Sequence, residues 1–104
     1  MRTTTMRKDI NYRGIDLQVS NKGRIYYKSN GEELEQFQIG NNPYMMCQVY
    51  NPVTQKSMLL NVGRIVCMAF HPIEGEDYKN LQADHIDSNP TRNVPSNLRW
   101  MTRK

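Results

Sequence analysis

The chain has 104 residues, enough for one domain whose hydrophobic core is modest. Hydrophobic residues make up 38% and charged residues 23% of the sequence, which excludes the class of intrinsically disordered chains. Fourteen Lys and Arg against ten Asp and Glu give a net charge of +4, a balance that favours polyanionic partners without proving one.

Two further classes are excluded by what the sequence lacks. Cys47 and Cys67 are the only cysteines and are not spaced as Cys-x-x-Cys, so neither a disulfide framework nor a cysteine-based zinc site is expected. The first nine residues are polar and basic, and no apolar run approaches the length of a membrane span. We expect a soluble protein of a reducing compartment, with no membrane partner.

The first sixty residues are predicted to form a small antiparallel sheet. Residues 15–20 alternate apolar and polar side chains, and Asn21-Lys22-Gly23 turns the chain into a second strand, which predicts a β-hairpin. A second hairpin is predicted around the loop 51–55. The strand-like runs are 15–20, 24–28, 37–39, 44–50 and 56–62. The basic residues 1–9 are assigned no structure.

The hydrophobic period changes at Asn61. Apolar residues then recur at helical spacing, Asn61 is a suitable N-cap and Pro72 a suitable stop, which predicts a helix over residues 62–71. A short strand follows at 81–86 and a turn-rich segment at 87–93. A last helix is predicted from Pro95 to the C-terminus, because proline suits a first-turn position.

The residues that carry chemistry are clustered after residue 83. A carboxylate oxygen such as that of Asp84 can hold Mg²⁺ or a similar hard cation, which neutralises charge on a phosphodiester. A neutral imidazole such as that of His85 can take a proton from the attacking water. The base works only if its ring is oriented by a hydrogen bond to the far ring nitrogen, and Asn97 is the predicted partner.

The same stretch resembles the HNH (His-Me finger, ββα-metal) endonucleases of phages and mobile introns, which carry Asp-His-Ile-Asp, an Asn-containing loop and Asn-Leu-x-Trp. Upstream, Leu17-Gln-Val-Ser-Asn-Lys-Gly-Arg-Ile25 resembles the NUMOD4-like entry module of that family, and Val62–Phe70 resembles its helix. The resemblance implies a duplex-DNA substrate, a Mg²⁺ or Mn²⁺ cofactor, and a cytoplasmic setting in a bacterium or phage-infected cell. It makes Asp84 a metal ligand, and His85 and Asn97 the catalytic pair.

Other residues are predicted to support this site. Trp100 is expected to be the core anchor of the motif, since a lone tryptophan is more often packed than free to stack on a base. Asp87 and Asn93 are expected to shape the loop. The basic residues expected to contact DNA phosphates are Arg24, Arg64, Arg92, Arg99, Arg103 and Lys104, for which the alternative is a solvated surface.

Two departures from the family pattern bear on activity. Gly63 stands where the family commonly has histidine, which is expected to weaken a structural or DNA contact. The family's last helix usually continues to a further Asn or His that completes the metal site, and the matching position lies beyond Lys104. Weak or absent cleavage is therefore an open expectation for this chain.

The sequence thus predicts an α+β protein, with an N-terminal antiparallel sheet and one helix leading into a C-terminal ββα-metal element. Within a single domain, 1–104, the β-rich NUMOD4-like part covers 10–62, the helix 62–71 and the HNH motif 81–104. One-metal DNA hydrolysis is the preferred function. The alternatives are a nuclease remnant that binds DNA without cutting it, and a phage protein that engages a protein partner; the oligomeric state is not predicted.

Overall fold

The computed structural model describes residues 5–76 and 78–103 of the chain. Its strands, in chain order, are β1 (Arg7–Tyr12), β2 (Ile15–Ser20), β3 (Ile25–Tyr27), β4 (Gln36–Phe37), β5 (Met46–Asn51), β6 (Lys56–Asn61), β7 (Leu81–His85) and β8 (Leu98–Thr102). The α-helix is α1 (Val62–Phe70), and short 3-10 turns lie at Glu74–Glu76 and Pro95–Asn97. The α+β prediction is confirmed.

The N-terminal strands form two three-stranded antiparallel sheets where one sheet was expected. β1, β2 and β3 pair in that order, and β4, β5 and β6 pair in a second sheet. β1 begins within the nine residues to which the sequence assigned no structure, and its pairing with β2 runs from Arg7 opposite Ser20 to Tyr12 opposite Ile15. The central strand β2 turns Ile15, Leu17 and Val19 into the core, as its alternation predicts.

The predicted hairpin around residues 51–55 is present between β5 and β6. The side-chain oxygen of Asn51 accepts hydrogen bonds from the backbone N–H groups of Val53, at 2.9 Å, and Thr54, at 3.4 Å. This Asx turn satisfies backbone donors that the two strands leave unpaired. β6 then leads without a gap into α1.

Helix α1 lies at the centre of the molecule and packs on strands of the first sheet and on both β7 and β8. Asn61 caps it as expected, its side chain accepting from the backbone N–H of Arg64 at 3.1 Å. At the other end the N–H of His71 donates to the Cys67 carbonyl at 2.8 Å, ahead of Pro72. The buried helix residues are Val62, Gly63, Ile65, Val66, Cys67 and Ala69.

The predicted C-terminal helix is wrong. Only Pro95–Asn97 makes a helical turn, of the 3-10 type, and Leu98–Thr102 is strand β8, which pairs antiparallel with β7. Burial alternates along it: Leu98 is buried and Trp100 half-buried on the side of α1, whereas Arg99 and Met101 are exposed. A period of two marks a strand with one packed face, and pairing with β7 outweighs the helical signal of Pro95.

The third sheet, β7 and β8, is thereby held against α1 through Ala83 and Trp100, which pack on the core.

No helix in the described ranges is long and apolar enough to cross a membrane.

Candidate active site

Asp84 and His85 close strand β7 and point to different sides of it, as neighbours in a strand do. Asp84 lies opposite Arg99 in β8, and the Arg99 Nε donates to Asp84 Oδ2 at 2.9 Å. His85 lies opposite Leu98, on the side that faces helix α1. The hairpin β7–β8 therefore presents a carboxylate and an imidazole side by side.

The ring of His85 is held from two directions. Its Nε2 makes a hydrogen bond of 2.7 Å with the side-chain oxygen of Asn93, which is only 6% exposed. The ring of Tyr44, from the segment before β5, stacks on it with centroids 6.0 Å apart and an angle of 27° between planes. A hydrogen bond in the ring plane and a stacked face together fix the ring's orientation.

The expected contact between Asn97 and the His85 ring is replaced by another one. Asn97, 3% exposed, accepts from the backbone N–H of Asp87 at 3.1 Å and donates through Nδ2 to Asp87 Oδ1 and to the Arg92 carbonyl, each at 2.9 Å. Asn97 thus ties together the loop between β7 and β8, a task that was expected of Asn93. The strand register explains the exchange: Leu98 is the residue opposite His85, so Asn97 falls one position before the pair, as the last residue of the loop.

Asp87 is the acceptor around which this loop, residues 86–97, is organised. The backbone N–H of Asn89 donates to its Oδ1 at 2.8 Å, the Asn97 amide donates to the same oxygen, and Arg92 approaches Oδ2 at 3.3 Å. These contacts stabilise the ionised carboxylate and lower the pKa of Asp87, the backbone hydrogen bond from Asn89 being the largest cause.

An open cleft of about 570 Å³ lies beside the two chemical groups. The residues of its wall that bear on function are Tyr44, Asn61, Arg64, Asp84, His85 and Arg103. The described residues contain no group of three His, Cys, Asp or Glu side chains arranged to hold a metal ion. Asp84 is thus the carboxylate that this cleft offers to a cation.

Comparison with known proteins agrees with the arrangement. A family model described as HNH endonuclease matches residues 62–104, which include the helix, the cleft and both chemical groups. Residues 62–104 belong to the HNH endonuclease family. A DNA endonuclease of Bacillus phage SP01, I-HmuI, is 37% identical over 97 residues, covering 93% of this chain and 52% of its own.

A solved structure shows that the likeness extends to the fold of the N-terminal sheets. The structure described as DNA binding and cleavage by the HNH homing endonuclease I-HmuI matches with a TM-score of 0.69 and 31% identity, over 91% of this chain and 52% of that one. The chain therefore spans about half the length of the relative that it matches.

The arginines of the HNH element are only partly free to meet a phosphate. Arg64 donates to the backbone carbonyls of Leu81 and Tyr78, each at 2.7 Å, and so fastens β7 to α1. Arg103 donates through Nε to the Leu81 carbonyl at 3.2 Å and borders the cleft beside Arg64. Both remain on the cleft wall.

The other expected phosphate contacts lie elsewhere or are paired. Arg92 and Arg99 pair with Asp87 and Asp84, the two acidic residues beside the site. Arg24 lies away from the cleft, 3.7 Å from Glu33, and Lys104 is outside the described residues. The structure thus brings Arg64 and Arg103 to the cleft, but not Arg24.

Trp100 anchors the hairpin to the rest of the HNH element. Its Nε1 donates to the His71 carbonyl at 2.7 Å, and its ring packs against that of Tyr78 with centroids 5.0 Å apart. The guanidinium of Arg64 lies 5.4 Å from the same ring. The indole is engaged by the protein on several sides, as a packing residue would be.

Two site residues were not identified by sequence reasoning. Tyr44 begins the predicted strand 44–50, but its stacking on His85 depends on where the β4–β5 connection crosses the cleft. At Gly63 the sequence predicts only the loss of a contact. A Cβ on Gly63 would lie 2.8 Å from Asn93 Oδ1 and 3.3 Å from His85 Nε2, so the glycine leaves room for their hydrogen bond. The signal available in the sequence was a glycine in the first turn of a predicted helix, where no reversal of the chain calls for one.

Proposed function

We propose that this protein is a metal-dependent endonuclease that hydrolyses phosphodiester bonds of double-stranded DNA. The observation that carries the proposal is the pair Asp84 and His85 on the wall of one cleft, with the imidazole held by Asn93 and Tyr44. The relative I-HmuI is named a DNA endonuclease, and its source in a phage supports action in the cytoplasm of a bacterium or phage-infected cell.

His85 supplies the base. Its neutral ring takes a proton from a water molecule whose oxygen forms the new bond to phosphorus. The bond from phosphorus to the 3′ oxygen breaks, and the departing oxygen takes a proton from solvent. Because a fixed base meets the water in one orientation, the restraints on the His85 ring lower the entropic part of the barrier.

Asp84 would hold the divalent cation. Mg²⁺ commonly keeps several waters and binds through one or two carboxylates together with substrate phosphates, so a single carboxylate at an open cleft fits it. When bound, the cation neutralises charge on the scissile phosphate and on the leaving oxygen. Asp84 must loosen its pair with Arg99, which costs little because both side chains are substantially exposed, at 37% and 55%.

Arg64 and Arg103 give the cleft its positive charge and would position the DNA backbone. Guanidinium groups that already donate to backbone carbonyls are held in place, so less side-chain entropy is lost when a phosphate arrives. Phosphate contacts of this kind fix the register of the duplex without reading its sequence.

The test is conversion of supercoiled plasmid by the 104-residue chain in Mg²⁺ or Mn²⁺, with EDTA and His85→Ala in parallel. We expect nicked or linear product that disappears with EDTA and falls by roughly 100-fold or more with His85→Ala, the usual range for loss of a general base. Lys56→Ala, an exposed change in the β5–β6 hairpin, is the matched control and should cut like the parent.

Absence of cleavage by the folded protein would reject the proposal. Binding to duplex DNA in EDTA would then assign a non-catalytic DNA-binding role, and failure to bind DNA at low salt would point to a protein partner.

A further inference from the structure

We infer that Asn93 is the positioning residue for His85, that it holds the imidazole as the Nε2–H tautomer, and that Gly63 is required for it to do so. The inference rests on the proposed function for its consequence in catalysis, but not for the tautomer itself. Asn93 and Gly63 thereby take the task that was predicted for Asn97.

The tautomer follows from hydrogen-bonding capacity. An amide oxygen can only accept, so the 2.7 Å contact between Asn93 Oδ1 and His85 Nε2 requires the proton to be on Nε2. In the neutral ring the lone pair is then on Nδ1, which becomes the nitrogen that takes a proton from water. A ring free to exchange tautomers would present the correct nitrogen only part of the time.

Asn93 can hold the His85 ring in one tautomer because its surroundings leave it little freedom to move. The residue is 6% exposed, and its backbone carbonyl lies against Gly23 in the β2–β3 turn, where an added Cβ would collide with that oxygen. Its side-chain oxygen lies against Gly63 at the start of α1. The backbone of Asn93 is therefore confined by the first sheet, and its side-chain oxygen by the start of the helix.

Glycine is required at position 63 because a side chain there would meet Asn93 and His85, and not because of the backbone conformation. It lies inside α1, and unlike Gly23 it is not among the glycines with positive φ. Alanine would normally stabilise this helical position relative to glycine. Its Cβ would, however, stand 2.8 Å from Asn93 Oδ1, closer than such atoms approach, so the amide would have to shift from its position against His85.

The test uses the protein without DNA or metal, labelled with ¹⁵N in its two histidine rings. Long-range ¹H–¹⁵N spectra at about pH 8, where an ordinary histidine is neutral, report which nitrogen carries the proton. His71 is an internal reference, since its Nε2 lies 2.8 Å from the Pro95 carbonyl, which also can only accept. The spectrum of His85→Gln assigns the two rings.

We expect Nε2–H for both rings in the parent protein. Asn93→Ala and Gly63→Ala should each turn His85 into a mixture of tautomers and leave His71 unchanged, whereas Asn93→Asp, which keeps an acceptor, should retain Nε2–H. Thermal unfolding of each variant, with unchanged His71 signals, shows that the fold is intact. A parent ring protonated on Nδ1, or a His85 ring indifferent to both alanine variants, would overturn the inference.

The catalytic consequence is measured separately by the plasmid cleavage rate. Asn93→Ala and Gly63→Ala should lower the rate at saturating DNA by roughly 10- to 100-fold with little change in KM, the range found when a positioning partner is removed. Loss of the tautomer without loss of rate would remove the positioning role. If the parent does not cut DNA, the proposed function fails while the spectra still decide the tautomer.

Discussion

Asn97 and Asp87 show how two side chains can stabilise a twelve-residue loop. The Asn97 amide uses both its oxygen and its nitrogen, and its partners are the backbone and side chain of Asp87 and the carbonyl of Arg92. A buried amide left with unmade hydrogen bonds is costly, so the loop is stable only in a conformation that supplies them all. The loop in turn places Asn93 beside His85.

The lowered pKa of Asp87 predicts a dependence of stability on pH. A carboxyl group whose folded pKa is below its unfolded value stabilises the fold fully above the ordinary aspartate range, and this contribution is lost as the pH falls through the folded pKa. Asp87→Asn should therefore lower the Tm near neutral pH, and the difference from the parent should shrink between about pH 5 and about pH 2. Thermal melts of both proteins across this range provide the measurement; a constant difference would contradict the assigned role of the carboxylate.

At the scale of elements, the C-terminal hairpin brings the chemistry to the cleft. β8 places Arg99 beside Asp84 and Trp100 beneath α1, which a helix starting at Pro95 could not do in the same register. Sequence periodicity alone does not separate the two possibilities, because five residues are too few to distinguish a strand from one turn of helix. The deciding contact is with β7, which is remote in sequence.

Two substitutions that shorten side chains on opposite faces of β8 distinguish a strand from a helix in solution. Leu98 and Met101 would share a helix face, but in β8 Leu98 is 3% exposed and Met101 is 42% exposed on the other face. Leu98→Ala should lower the free energy of unfolding by about 2–4 kcal/mol, and Met101→Ala by less than about 0.5 kcal/mol. Chemical denaturation of both variants gives the two values. Equal losses would argue for a helix.

The N-terminal elements were more predictable than the site. The β2–β3 and β5–β6 hairpins and the capped helix α1 follow from local patterns, namely alternation, turn residues and the Asn61 cap, and the structure contains all of them. Asp84 and His85 were found because they are adjacent in sequence. The predicted roles of Asn93 and Asn97 are the reverse of those in the structure. The β7–β8 register decides which of the two amides reaches the His85 ring, and local patterns do not reveal that register. The likeness of residues 10–62 to a NUMOD4 module stays a prediction.

At the scale of the whole molecule, the net charge is +4, but part of the positive charge near the cleft is neutralised by ion pairs. Several basic groups near it are paired with acidic neighbours, as Arg92 is with Asp87 and Arg99 with Asp84. Arg103, on the cleft wall, donates to a carbonyl group. Because the carbonyl is neutral, this contact does not cancel the positive charge of the guanidinium. DNA affinity should therefore depend on a few positions and not on the total charge.

Binding to duplex DNA in EDTA measures this dependence. The logarithm of the binding constant should fall linearly with the logarithm of salt concentration, and Arg103→Ala should reduce the slope by about 1, the value for one lost phosphate contact. Lys56→Ala removes the same charge in the β5–β6 hairpin and should leave the slope unchanged. Equal effects of the two changes would show that only net charge matters.

The packing of Asn93 against Gly23 bears on how such proteins can be recombined. The family match begins at residue 62, yet the loop it contains is seated on a turn of the first sheet, where only glycine leaves room for the Asn93 carbonyl. A chimera that joins this segment to a foreign N-terminal half would inherit the nuclease motif without the surface that seats its loop. Transplantation therefore requires that the recipient supply a glycine at the matching turn, and the smallest portable unit is larger than the motif.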